Sequence, residues 1–137
     1  MQVEIDWLAR SAFAAHARGH VVVSDQPAAN GGGDTGMTPP ELLLVSLGSC
    51  VGYYVAEFCR ARGIPFEELR IKVSAETLHT PARLGNIVLD VTLPAELEEA
   101  RLEALRRAAT RCTIHNTLAA PPDIDVRIHT LEAAGRG

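Results

Sequence analysis

The chain has 137 residues, 47% hydrophobic and 22% charged, enough for one domain with its own core and no need of disulfide staples. Seventeen acids against 13 Lys and Arg give a net charge of −4. No basic stripe interrupts that balance, so nucleic acid is not an expected partner.

The N-terminus, MQVEIDWLAR, carries acids and no long apolar run, so no secretory signal is expected. An odd count of three cysteines then favours reduced thiols in a cytosol over a disulfide framework. Residues 2–24 read as a β-meander: QVEIDW alternates, AFAAHA is semi-apolar, and HVVVSD is β-branched. Turns fall near Ala9–Ser11 and at ARGH, where Gly19 permits a tight bend. Residues 25–40, rich in Gly, Pro and Asn, read as a flexible loop. They lack the Lys-Ser/Thr that a phosphate cradle needs at the following helix start.

Thr38 is an expected N-cap, followed by Pro39 and Pro40 in the first turn and by Glu41, which complements the helix dipole. This helix should run to Arg62 and end at Gly63. Its longest uncharged apolar run, 42–56, is short of the ~20 residues a membrane span needs and reads as buried core. Residues 69–79 and 86–93 alternate and form an expected hairpin, and 94–110 form an amphipathic helix with a Leu97, Leu102, Leu105, Ala109 stripe. A short helix over TIHNTLA, a last strand over 124–131 and a frayed tail at 132–137 complete the chain. The order β-β-β-α-β-β-α-α-β is that of a single α+β domain over 1–137, not a doubly wound sheet.

Three thiols interrupt this pattern. Cys50 lies in the apolar helix, on one face with Ser46, Tyr53 or Tyr54, and Glu57. Gly48 and Gly52 lie on the opposite face, where another segment can approach closely. Cys50 fits either a small core residue or a reactive group. Cys59 is half a rotation further round and roughly 13 Å along the axis, too far to pair with Cys50 across an intact helix, and reads as packing. Cys112 opens a helix beside Arg111, where a lowered pKa is expected, with His115 and Asn116 one turn on. Three chemistries stay open: a Cys112–His115 acyl-transfer nucleophile, a zinc site from Cys112, His115 and Cys50 that lacks a fourth protein ligand, and a Cys50–Cys112 redox pair.

Two stretches, TPPELLLVSLGSC (38–50) and RCTIHNTL (111–118), together with the element order, resemble the OsmC/Ohr family of thiol-dependent peroxidases. The resemblance spans nearly the whole chain. It implies an OsmC-like fold in an intertwined homodimer, with long central helices packed against shared sheets and active sites at the interface. It also implies Cys50 as the peroxidatic thiol, Cys112 as the resolving thiol, Arg18 from the first hairpin as the cation that ionises Cys50, and Glu41 as the carboxylate that holds that arginine. Arg10 and Arg111 are alternatives to Arg18. The implied reaction is reduction of organic or lipid hydroperoxides through a Cys50 sulfenate and a Cys50–Cys112 disulfide that an external dithiol restores, in oxidative-stress defence. Leu44, Leu47, Val51 and Tyr54 are the expected apolar lining. No cofactor, metal, nucleic acid or membrane is implied, and the expected site of action is the cytoplasm.

The chain departs from the family pattern twice. The glutamate stands one residue late, after Pro40, which rotates it about 100° round the helix. Thr113 replaces the proline that usually follows the second cysteine. The wording is closer to a less characterised branch. A non-catalytic binder of a small apolar ligand at the dimer interface and a Cys112/His115 acyl hydrolase stand as alternatives.

Overall fold

The computed structural model describes residues 1–131, so the expected tail at 132–137 lies outside the described residues. Strands β1 (Glu4–Ala9), β2 (Ala12–Ala17) and β3 (His20–Ser24) form an antiparallel sheet in that order. Arg18 and Gly19 both take positive φ between the paired Ala17 and His20, the two-residue hairpin turn whose twist matches its strands.

The segment after β3 is tied down by one buried carboxylate. Asp25 is 2% exposed and accepts hydrogen bonds from the Ser11 hydroxyl at 2.6 Å, the Gln26 N–H at 2.7 Å, the Thr35 N–H at 3.1 Å and the Thr35 hydroxyl at 2.6 Å. The glycines let the loop fold this closely. A Cβ on Gly32 would stand 1.9 Å from the Gln26 carbonyl oxygen, and one on Gly36 would stand 2.2 Å from that of Val23.

Helix α1 (Pro39–Arg62) begins as its sequence dictates. The Thr38 hydroxyl accepts the Glu41 N–H, while the Glu41 carboxylate accepts the Thr38 N–H at 2.9 Å and its hydroxyl at 2.8 Å. This reciprocal capping box satisfies the free N–H groups of the first turn. Gly63, left-handed at φ 63°, ends the helix. By length and composition α1 is apolar enough to cross a membrane. In the fold it is the core element, burying Leu47, Val51, Val55, Phe58 and Cys59.

β4 (Arg70–Leu78) and β5 (Arg83–Thr92) form the second antiparallel sheet, and α2 (Glu99–Ala109) and α3 (Thr113–Ala119) follow. α1 packs chiefly against β4, α2 and α3. The close approach expected at Gly48 and Gly52 is made by β4. A Cβ on Gly48 would meet Val73 Cγ2 at 2.8 Å, and one on Gly52 would meet Ile71 Cδ1 at 3.0 Å. α2 starts later than its periodicity suggests, because Ala95 and Leu97 pack on the core from extended chain.

The last strand does not form. Residues 121–131 carry no regular structure, and Ile124 and Ile128 are 84% and 85% exposed. The alternation is real, but the segment pairs with none of the edges that the two open sheets leave free. The element order within one chain is therefore β-β-β-α-β-β-α-α.

Hydrogen bonding from Ser11, Thr35 and Gln26 holds the Asp25 pKa well below its usual 3.8. A carboxylate with a lowered folded pKa stabilises the fold fully above its unfolded pKa, and that stabilisation fades as pH falls through the folded value. Asp25→Asn is expected to lower the melting temperature at pH 7 and to flatten the decline in stability below about pH 4. Thermal melts of both proteins across pH 2–7 check this.

Candidate active site

Two helices bring two sulfurs together. α2 ends at Ala109, the chain turns through Thr110 and Arg111, and Cys112 becomes the N-cap of α3. The Cys112 sulfur accepts the His115 N–H at 3.3 Å, a cap bond that fixes its rotamer. Cys112 is fully buried beside Leu105 and Ala108. Cys50, on α1, is half-buried against the same core. Cys112 and Ile114, at the start of α3, pack with it in that core, where α1 contacts α3.

These contacts split the two thiols. Burial alone pushes the Cys50 pKa up, but the Cys112 S–H and the Ile114 and Thr113 N–H groups all donate to its sulfur, and the net shift is down. For Cys112 burial raises the pKa, and holding its proton against Cys50 raises it further. The expected lowering at the helix start therefore falls on Cys50, not on Cys112. Cys112 occupies the cap and accepts the His115 N–H, but burial and the Cys50 sulfur outweigh that bond. Cys59 is buried with its pKa raised by desolvation, as a packing residue should be.

The remaining expected residues lie elsewhere in the protomer. The Cys50 shift comes from hydrogen bonds alone, without a guanidinium. Arg18 sits in the β2–β3 turn of the first sheet, which is not among the main packing partners of α1. Arg10 donates to the Gly31 carbonyl at 2.7 Å, and Arg111 opens onto a cleft between α1 and α2. Glu41 is spent on the capping box, which holds its pKa low, and it lies roughly 13 Å along the axis from Cys50. The expected apolar lining is divided. Leu44 lines a 620 Å³ groove against β4 with Glu41; Leu47 lines a 310 Å³ recess; Val51 lines a 730 Å³ cavity; Tyr54 lines the α1–α2 cleft.

His115 borders both the recess and the large cavity, and its buried Nδ1 has no hydrogen-bond partner. Its main chain, rather than its ring, bonds Cys112. The backbone donors of Thr113 and Ile114 were missed from sequence because main-chain groups carry no residue signature. A cysteine directly before a helix was the available cue.

Alkylation should separate the thiols at pH 7. Iodoacetamide is expected to label Cys50 at least about tenfold faster than Cys59 or Cys112, since the thiolate is the reacting form. Cys112→Ala should shift the pH midpoint of Cys50 labelling upward by removing a donor. Peptide mass spectrometry over a pH series reads both effects.

The family model for OsmC-like proteins matches residues 31–127, a span that includes both cysteines. Among solved structures, an osmotic stress induced and detoxification response protein from Psychrobacter arcticus superposes with a TM-score of 0.78 at 19% identity, covering 85% of this chain and 87% of the other. The OsmC-like protein of Mycoplasma pneumoniae gives 0.75 at 20% identity over 88% and 87%. The organic hydroperoxide resistance protein OhrB of Bacillus subtilis gives 0.61 at 19% identity over 88% and 93%. No curated protein matches the sequence. At these identities the structures establish a shared fold, and the family match spans most of the sequence: the chain belongs to the OsmC/Ohr family.

Proposed function

We propose that the protein is a cysteine-based peroxidase that reduces organic hydroperoxides in oxidative-stress defence. The observation that carries this reading is the packing of Cys50 and Cys112 in one core where α1 meets α3, with the Cys50 pKa lowered and the Cys112 pKa raised. The Cys50 thiolate attacks the terminal peroxide oxygen. The O–O bond breaks, Cys50 becomes a sulfenic acid, and the alkoxide leaves and takes up a proton to become the alcohol. Cys112 condenses with the sulfenic acid, forming the disulfide and releasing water. An external dithiol then exchanges with the disulfide, restoring both thiols and leaving oxidised itself. That cycle belongs in a reducing compartment such as the cytoplasm.

An apolar substrate is favoured by the recess beside Leu47 and His115 and by the cavity beside Val51. Burying about four methylenes contributes roughly 3 kcal/mol, enough to prefer an alkyl hydroperoxide over hydrogen peroxide by about a hundredfold in binding. The fold relative from Bacillus subtilis is itself an organic hydroperoxide resistance protein.

In this reading the working unit is a homodimer. The alternating strand at 124–131 lacks a partner, and Ile5, Trp7 and Tyr53 are exposed on the first sheet and α1. A second copy supplies the missing edge and brings its own Arg18 turn to the site, where the guanidinium orients the peroxide. Glu41 caps α1 through Oε1, which leaves Oε2 as the oxygen that would meet that arginine.

Binding without catalysis is the second reading, favoured by the 730 Å³ apolar cavity and the unpartnered His115 Nδ1. The hydrolase reading loses its basis, because the His115 ring does not bond Cys112.

Stoichiometric cumene hydroperoxide should consume two thiols per chain within the mixing time of a thiol titration, and Cys50→Ser should abolish the loss. In Cys112→Ser a trappable Cys50 sulfenate should accumulate. Slow, unsaturating thiol loss in the wild type would instead mark a binder. Truncation after Pro122 should convert a dimer to a monomer by sedimentation if residues 124–131 pair across copies.

A further inference from the structure

A cleft of 390 Å³ lies between α1 and α2, away from both sulfurs, and gathers the side chains of Arg62, Arg107 and Arg111 with Tyr54 and Glu57. Its volume falls in the range of small-ligand sites. Glu57, its one acid, is already paired with Arg60. Among the described residues no carboxylate forms an ion pair with Arg62, Arg107 or Arg111.

Three guanidiniums around one space repel each other. The chain as a whole carries −4, so the concentration of positive charge is local. Arg62 and Arg107 each complement the negative end of their own helix, which explains their presence one by one. Helix ends do not explain their convergence with Arg111, which lies outside both helices, on a shared cleft.

Arg62 is also fixed in place. It donates to the Phe58 carbonyl at 3.2 Å, and its guanidinium lies 3.7 Å from the centre of the Phe58 ring. A guanidinium held this way loses little entropy on binding, and its planar fork matches the oxygens of a phosphate. Tyr54 adds a hydroxyl that can donate to the same oxygens.

We propose that this cleft binds a phosphate-bearing anion, clamped by Arg62, Arg107 and Arg111. Its natural form is inorganic phosphate, pyrophosphate or a small phosphate ester. The site is independent of the peroxidase chemistry, so the two readings stand or fall separately.

The test is thermal unfolding of the full-length protein with pyrophosphate, against sodium chloride at matched ionic strength. Pyrophosphate should raise the melting temperature saturably. Arg107→Gln and Arg111→Gln should each weaken the effect about tenfold or more, the scale of one charge-assisted hydrogen bond. At low salt without phosphate, Arg111→Gln should not melt below the wild type, because it removes a repulsion and Arg111 lies outside both helices. Arg107→Lys keeps the charge and loses the fork, so a smaller loss of affinity is expected from it. ³¹P line broadening of pyrophosphate by the wild type, absent with Arg107→Gln, gives a readout independent of melting. Parallel arms with orthophosphate and phenyl phosphate tell a free anion from an esterified one by which binds more tightly. A shift no larger than that of chloride overturns the proposal. So does a saturable shift that both glutamine variants retain.

Discussion

The chemistry depends on one contact, the Cys50 sulfur against the first residues of α3. Desolvation at the edge of the core disfavours a thiolate, and hydrogen bonds have to outweigh it. The Cys112 thiol and the main chain at the start of α3 supply that opposing effect, and the Cys50 pKa falls. The rest of the fold keeps those donors in place. The Thr38–Glu41 box fixes where α1 begins, Gly48 and Gly52 let β4 pack closely on its other face, and the Cys112 cap aims the start of α3.

The same contact assigns the roles. Cys112 is fully buried, and its proton is held against Cys50. A thiol in that state is a poor nucleophile towards a solvent-borne oxidant but stands beside any sulfenic acid formed on Cys50. Cys50 is half-buried, reachable and biased toward the thiolate. In the proposed cycle this asymmetry sets which sulfur attacks and which resolves, without a charged residue of the same protomer.

Elements with local causes were legible in the sequence. The α1 boundaries follow from Thr38, Glu41 and Gly63, and the first hairpin turn follows from Gly19. The hairpin of β4 and β5 followed from alternation alone. The site was legible as a pair of cysteines and illegible in its electrostatics, because the donors to Cys50 are main-chain N–H groups whose direction depends on how α3 meets α1. Glu41 misled for a related reason. One residue type serves both a helix cap and an arginine clamp, and within one protomer the capping partners, Thr38 N–H and hydroxyl, are the ones present. Residues 124–131 have the period of a strand but pair with no edge of their own chain, and periodicity specifies neither whether a strand pairs nor with which edge.

This division bears on what an arginine does in the site. Were a guanidinium needed to ionise Cys50, a lone protomer, whose Arg18 lies on a sheet that is not among the main packing partners of α1, would hold an inert thiol. Hydrogen bonding within the protomer already lowers the Cys50 pKa. In the proposed dimer, an arginine supplied by a second copy would then be left with the substrate, to orient the peroxide and stabilise charge on the departing oxygen. Ionisation and orientation become separable. The first belongs to the contact between α1 and α3. In the proposed dimer the second belongs to the interface, so losing that arginine slows turnover more than it changes the reactivity of Cys50 towards a simple alkylating agent.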